Sequence, residues 1–203
     1  MHSFWDISPR FSGQSPHPAW GESTSCGTAL PAATYLLTDT VPTDFPSAAT
    51  RESILRWASE QNAAGRYIGQ TRVIDLRHVP HTIRKEHLAN HLFGKISRVL
   101  LRTQSELRGG PAIITADAVK LLASCGVKLL GIDQDALDAP NSMAREAFKT
   151  AQQAGLCVLL NLELSEVKPG DYDMLAVPTG GARAGSWKDL EIQYAKASTT
   201  RAA

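Results

Sequence analysis

Four of the six histidines fall in the single stretch from His78 to His91, at positions 78, 81, 87 and 91. On a helix, His87 and His91 stand at i and i+4, where two imidazoles share one face and can hold one divalent ion. No cysteine lies nearby and Glu86 belongs to a different face, so the same spacing also describes a solvated helix surface. Of the three cysteines, Cys26, in a Ser-Thr-Ser-Cys-Gly loop, is the one placed for thiol chemistry. Cys125 and Cys157 sit in apolar runs and read as buried small hydrophobes of a reducing compartment. Asp44, in a Pro-Thr-Asp-Phe-Pro turn, has two readings: an acceptor for its own turn, or, in a dry pocket, a carboxyl suited to proton transfer. The run from Gly180 to Gly185 lacks the Gly-Lys-Ser/Thr of a phosphate loop and reads as a turn between the last two strands.

The elements that must carry these groups alternate between strand and helix. Phe4 to Pro9 reads as a short strand ended by proline, and Ala29 to Leu37 as a second. Thr50 caps a predicted helix through about Ala63, with Ile54, Leu55 and Ala58 at helical spacing. Thr71–Leu76, Arg98–Thr103, Ala112–Thr115 and Val127–Asp133 read as strands. Predicted helices run from Ala116 to Ser124, stopped by Gly126, and from Ser142 to Gln153. Leu156 to Leu164 is apolar enough for a central strand. The tail from Ser198 is expected to fray. Over 203 residues, with 43% apolar and 20% charged side chains, this predicts a single α/β domain spanning 1–203. A net charge of +1 gives no footprint for nucleic acid or acidic lipid. No signal peptide or membrane span is visible, so a cytoplasmic location is expected.

Several stretches, in order, resemble the cyclase family, whose best-known members are the bacterial kynurenine formamidases (arylformamidases). Trp5-Asp6-Ile7-Ser8-Pro9 looks like the family's W-D-I-S-P opening, and Pro18-Ala19-Trp20-Gly21-Glu22 resembles its P-x-W-P-G-D turn. Arg98–Thr103 is similar to R-V-L-L-R-T, Gly126–Asp133 to G-V-x-L-I-G-I-D, and Gly170–Pro178 to G-D-Y-x-L-x-A-x-P. The resemblance runs from about Phe4 to Tyr194. It implies a swivelling β/α/β domain and a homo-oligomer of at least two chains with active sites near subunit contacts.

The metal-binding loop of that family, H-x-G-T-H-x-D-x-P-x-H, is kept here only in outline. In register it retains Asp44 and Pro46, and it places Thr38, Pro42 and Ala48 at the histidines and Thr40 and Val41 at Gly-Thr. By the same resemblance Phe148 stands where the family has a late histidine, and Leu160 where it has a late glutamate. Zinc or manganese needs imidazole, thiolate or carboxylate donors, and Asp44 alone is insufficient. The resemblance therefore implies a degenerate metal site with no cofactor. It also implies a substrate pocket lined by Trp5, Trp20, Thr38, Thr40, Pro42, Phe45, Ala48, Phe148 and Leu160, with Asp44 as the catalytic candidate.

Three functional readings follow. The first is a metal-independent enzyme that closes, dehydrates or rearranges a hydrophobic small molecule held by Trp5, Trp20, Phe45 and Phe148, in keeping with small-molecule biosynthesis. The second is a non-catalytic binding protein or partner subunit. The third is a metal-dependent arylformamide hydrolase that draws its ligands from His78, His81, His87 or His91. An open cavity with polar groups aimed into it favours an enzyme over a scaffold.

Overall fold

The structure, a computed structural model, describes residues 4–8, 33–38, 68–105, 110–139 and 142–178. The predicted helix at 50–63, the Asp44 loop, Cys26, the 180–185 turn and the tail lie outside the described residues.

The strands β1 (Phe4–Asp6), β2 (Ala33–Thr38), β3 (Gly69–Asp75), β5 (Arg98–Arg102), β7 (Leu129–Ile132), β8 (Cys157–Leu159) and β9 (Gly170–Pro178) form one sheet in the order β1-β2-β9-β3-β5-β7-β8. β3, β5, β7 and β8 run parallel, while β9 runs antiparallel to both of its neighbours. β4 (Thr82–Ile83) and β6 (Ile113–Ile114) pair separately as a short parallel ribbon. The helices are α1 (Lys85–Ala89), α2 (Ala116–Ser124) and α3 (Glu146–Gln153).

Alternation along the parallel strands divides the core, because successive side chains point to opposite faces. Ile74, Val99, Leu101, Leu130, Ile132 and Val158 face the helices, where they meet Leu88, Ala118, Val119, Leu122, Ala147 and Ala151. Val73, Leu100, Leu129, Cys157 and Leu159 face the other way, onto Ile7, Leu37, Tyr172 and Met174. Both faces are covered, which explains why these strands read as continuous apolar runs. The chain segments that follow the two end strands meet: the Glu163 N–H, beyond β8, donates to the Ile7 carbonyl, beyond β1, at 3.2 Å.

α2 has the predicted limits. The Thr115 hydroxyl caps the Ala118 N–H, and Gly126 (φ +84°) takes the left-handed conformation that ends the helix. α3 starts later than predicted because Arg145 has φ +44°. Its first free N–H groups, those of Ala147 and Phe148, are met by the Asp138 carboxylate at 2.9 and 3.1 Å.

Three expectations need correction. Leu156–Leu164 is not a central strand: only Cys157–Leu159 pairs, and it pairs on one side, at the end of the sheet order. Its apolar run reflects cover on both faces, not a neighbour on both sides. Cys125 is exposed just past α2, whereas Cys157 is buried as expected. His87 and His91 do not share a helix face, because α1 ends at Ala89. The His87 Nδ1 instead accepts the Arg84 N–H at 3.0 Å, so it caps the helix start.

Arg72, on β3, holds the sheet to the chain after α1. Its guanidinium forms a bidentate pair with Asp171 (2.5 and 2.7 Å) and donates to the His91 and Phe93 carbonyls (2.7 and 2.9 Å). It also lies 3.8 Å from the centroid of the Phe93 ring. Hydrogen bonds from Arg72 hold the Asp171 carboxyl below the ordinary carboxylate range. A lowered folded value adds stability above the ordinary aspartate range, and that stability is lost as pH falls through the folded value. Asp171 is 56% exposed, so Asp171→Asn is expected to cost about 1 kcal/mol or less at neutral pH. Urea unfolding at several pH values should show a shallower acid-side loss for the variant.

Candidate functional site

The carboxyl ends of β3, β5, β7 and β8 open on one side of the sheet, the end at which parallel α/β sheets place their ligands. They line a cleft of about 1110 Å³ together with Gly110–Ala112 and the chain from Asn161 to Ser165. Each strand contributes as it leaves the sheet: Asp75, Arg77 and His78 after β3, Arg102 to Ser105 after β5, Asp133 to Asp135 after β7, and Asn161 onwards after β8. Apolar strand interiors that end in polar residues produce this arrangement.

A buried polar network forms the floor. Thr103, Asp133 and Gln134 are 0, 4 and 6% exposed. The Asp133 carboxylate accepts the Thr103 N–H (3.0 and 2.8 Å), the Thr103 hydroxyl (2.5 Å) and the Gln104 N–H (2.9 Å). Gln134 donates through Nε2 to the Thr103 hydroxyl oxygen and accepts the Ala112 N–H at 2.7 Å. Gln104 donates through Nε2 to the Asp133 carbonyl. Burial pushes the Asp133 carboxyl above the ordinary carboxylate range, and these hydrogen bonds offset part of that. The network joins the ends of β5 and β7 to the segment entering β6, and it sets the shape of the floor.

The charged groups of the wall are mostly matched within the protein. Arg77 grips Asp75 with Nε at 3.0 and 3.1 Å and Nη2 at 2.6 Å, which holds the Asp75 carboxyl below its usual range. Arg102 donates to the Val167 carbonyl at 3.0 Å and to the Ser165 carbonyl, so it pins the chain between β8 and β9 against the cleft. Glu163 accepts the Ser165 N–H and hydroxyl at 3.2 and 2.5 Å. Asn161 has φ +57°, a left-handed conformation that asparagine tolerates better than most residues. Its N–H donates to the Gln134 carbonyl at 2.8 Å.

The residues expected to form one aromatic pocket are not all brought together. Trp5 packs on the face opposite the helices, edge-on to Tyr172 with ring centroids 5.3 Å apart. Phe148 and Leu160 pack into the helix-side core, so the sheet stands between them and Trp5. None of the three lines the cleft. Thr38 is the last residue of β2, while Trp20, Thr40, Pro42, Asp44, Phe45 and Ala48 lie outside the described residues. Of the histidines, His78 lines the cleft, and the His81 Nδ1 lies 3.5 Å from the Pro111 carbonyl. Side-chain type alone does not single out Thr103, Asp133, Gln134 and Asn161. Their signal is positional: each is a polar residue directly after, or one removed from, an apolar strand.

The resemblance raises a divalent ion, and the described residues do not fit one at the late positions. Phe148 and Leu160 have no donor atoms and are packed against apolar neighbours. Among the described residues, no group of three or more His, Cys, Asp or Glu side chains is placed to hold a metal ion. None of the described helices is long and apolar enough to cross a membrane.

No family model matches the chain. Among solved structures it is similar to a potential metal-dependent hydrolase with cyclase activity, at 22% identity and a TM-score of 0.52 over 92% of this chain and 93% of that one. It is also similar to a predicted metal-dependent hydrolase from Bacillus stearothermophilus (18% identity, 87% and 98% of the two chains, TM-score 0.48). A third similar structure is isatin hydrolase A from Labrenzia aggregata bound to benzyl benzoate (15% identity, 88% and 94%, TM-score 0.46). The first likeness, with the mixed sheet and its parallel centre, defines the class: an α/β protein with the fold of the cyclase-like hydrolases.

Proposed function

We propose that this chain is a cyclase-fold enzyme that acts on a small molecule without a resident metal ion, by ring closure, dehydration or rearrangement. The observation that carries the reading is the open cleft of about 1110 Å³ at the carboxyl ends of the parallel strands, floored by a buried polar network and lined by polar side chains. A scaffold retained only for its contacts has no need of such a cavity. Holding reacting atoms in a fixed geometry is worth about 7–11 kcal/mol with no metal. Asp44 is the proposed acid or base, and with the family resemblance the reading includes a homo-oligomer of at least two chains.

The test compares chelator-treated protein with protein supplied with zinc or manganese, using isatin and an aryl formamide as probes. Neither probe should be hydrolysed above the protein-free rate in either state, and purified protein should carry metal well below stoichiometry. Stoichiometric zinc or manganese, with chelator-sensitive opening of either probe, would establish an ordinary metal hydrolase instead. Once a substrate is found, Asp44→Asn should lower its turnover about a hundredfold. Unchanged turnover would remove Asp44 from the role.

A further inference from the structure

We infer that the cleft recognises a ligand bearing a protonated amine, read by the Asp135 carboxylate together with the Asn161 amide oxygen and the Ser105 hydroxyl. This rests on the cleft being the substrate site, and it names the chemical class that the site takes.

The argument is an account of which lining groups still have hydrogen-bonding capacity. Both lining arginines are engaged, Arg77 by Asp75 and Arg102 by the carbonyls of Ser165 and Val167. Asp133 is surrounded by donors from Thr103 and Gln104, and Glu163 is bonded to Ser165. By contrast, the side chains of Asp135, Asn161 and Ser105 line the same cleft and make no hydrogen bond or ion pair among the described residues. All three can accept, and one of them is an aspartate, so the complementary group is a cationic donor.

The backbone sets each of the three next to the buried network of the floor, Asp135 directly after Gln134. Asn161 is bonded to the Gln134 carbonyl, which sets it beside the residue preceding Asp135. Ser105 follows directly on the Thr103–Gln104 pair that wraps Asp133. Asn161 is also one of only two non-glycine positive-φ positions among the described residues. Such conformations persist where the surroundings impose them, and they gather at ligand sites.

Three probes with one ring system and different charge test this on the full chain: tryptamine, tryptophol and indole-3-acetate, with affinities measured by calorimetry. Tryptamine should bind about fivefold or more tighter than the other two, and Asp135→Asn should erase that preference. Asn161→Gly keeps the left-handed backbone without strain. It should leave thermal stability unchanged or raised while weakening tryptamine binding several-fold. Equal affinity for the three probes, or a preference that survives Asp135→Asn, would overturn the amine inference while leaving the cleft as a small-molecule site. Unchanged tryptamine binding in Asn161→Gly would confine Asn161 to its turn and overturn the inference as stated. Failure of all three probes to bind also overturns it, whereas the metal-independence reading has its own test that involves none of these residues.

Discussion

Replacing Asp133 by alanine is expected to lower stability by about 3–5 kcal/mol, read as a shift in the urea midpoint with little change in slope. The carboxylate is the shared acceptor for the Thr103 and Gln104 N–H groups and for the Thr103 hydroxyl. Thr103 is fully buried, so water cannot easily replace the missing acceptor, and each orphaned N–H costs about 1–3 kcal/mol. Asp133→Asn should be milder, because one oxygen remains to accept. The two variants also differ from the native chain in their pH response. Because burial raises the folded-state value of Asp133, the folded protein holds this proton more tightly than the unfolded chain does. The stability it contributes is fully present below the ordinary aspartate value of about 4 and is lost as pH rises through the folded value. Both variants should lack that decline. If Asp133→Ala unfolds at the native urea midpoint, the network does not hold the floor together.

Gly131→Ala is the second large effect, at about 1–3 kcal/mol, or a fall in Tm of roughly 3–10 °C. A Cβ at position 131 would lie 2.4 Å from Leu100 Cδ2 and 2.5 Å from Leu162 Cδ1. Both leucines are buried, at 0 and 2% exposure, so neither methyl can swing into solvent. Gly131 is what lets the chain beyond β8 fold back over the face opposite the helices and form the cleft wall. Leu162→Val removes one of the two obstructing methyls. The double variant should therefore be less destabilised than the sum of the single variants. Strict additivity would place the strain elsewhere.

Much of this architecture can be read from the chain because its parallel strands are covered on both faces and its helices are marked at their ends. Val73, Ile74, Leu100, Leu101, Leu129 and Leu130 announce buried strands whichever face each one serves. Thr115 and Gly126 bracket α2 by local chemistry alone. Strand order is not local, and so Cys157–Leu159 reads as central while it sits at an edge. The start of α3 is hidden for the same reason: its free N–H groups are met by Asp138, across a turn, and not by an adjacent cap. Motif order carries the fold class, but side-chain type alone does not reveal the cleft. Thr103, Gln134 and Asn161 are ordinary polar residues until the sheet gathers the ends of β5, β7 and β8. Trp5 and Phe148 pack on opposite sides of the sheet, because Trp5 points from β1 to one face while α3, which carries Phe148, covers the other.

The position of β9 has a consequence for how the chain comes together. It lies between β2 and β3, although it is made after every other described strand of the sheet. Until residues 170–178 leave the ribosome, β2 and β3 lack the strand that pairs with both of them. Closure must wait for pairings of long sequence separation, the slow kind. A nascent chain of this protein is thus exposed to mispairing for most of its synthesis, and chaperone demand should track the arrival of β9.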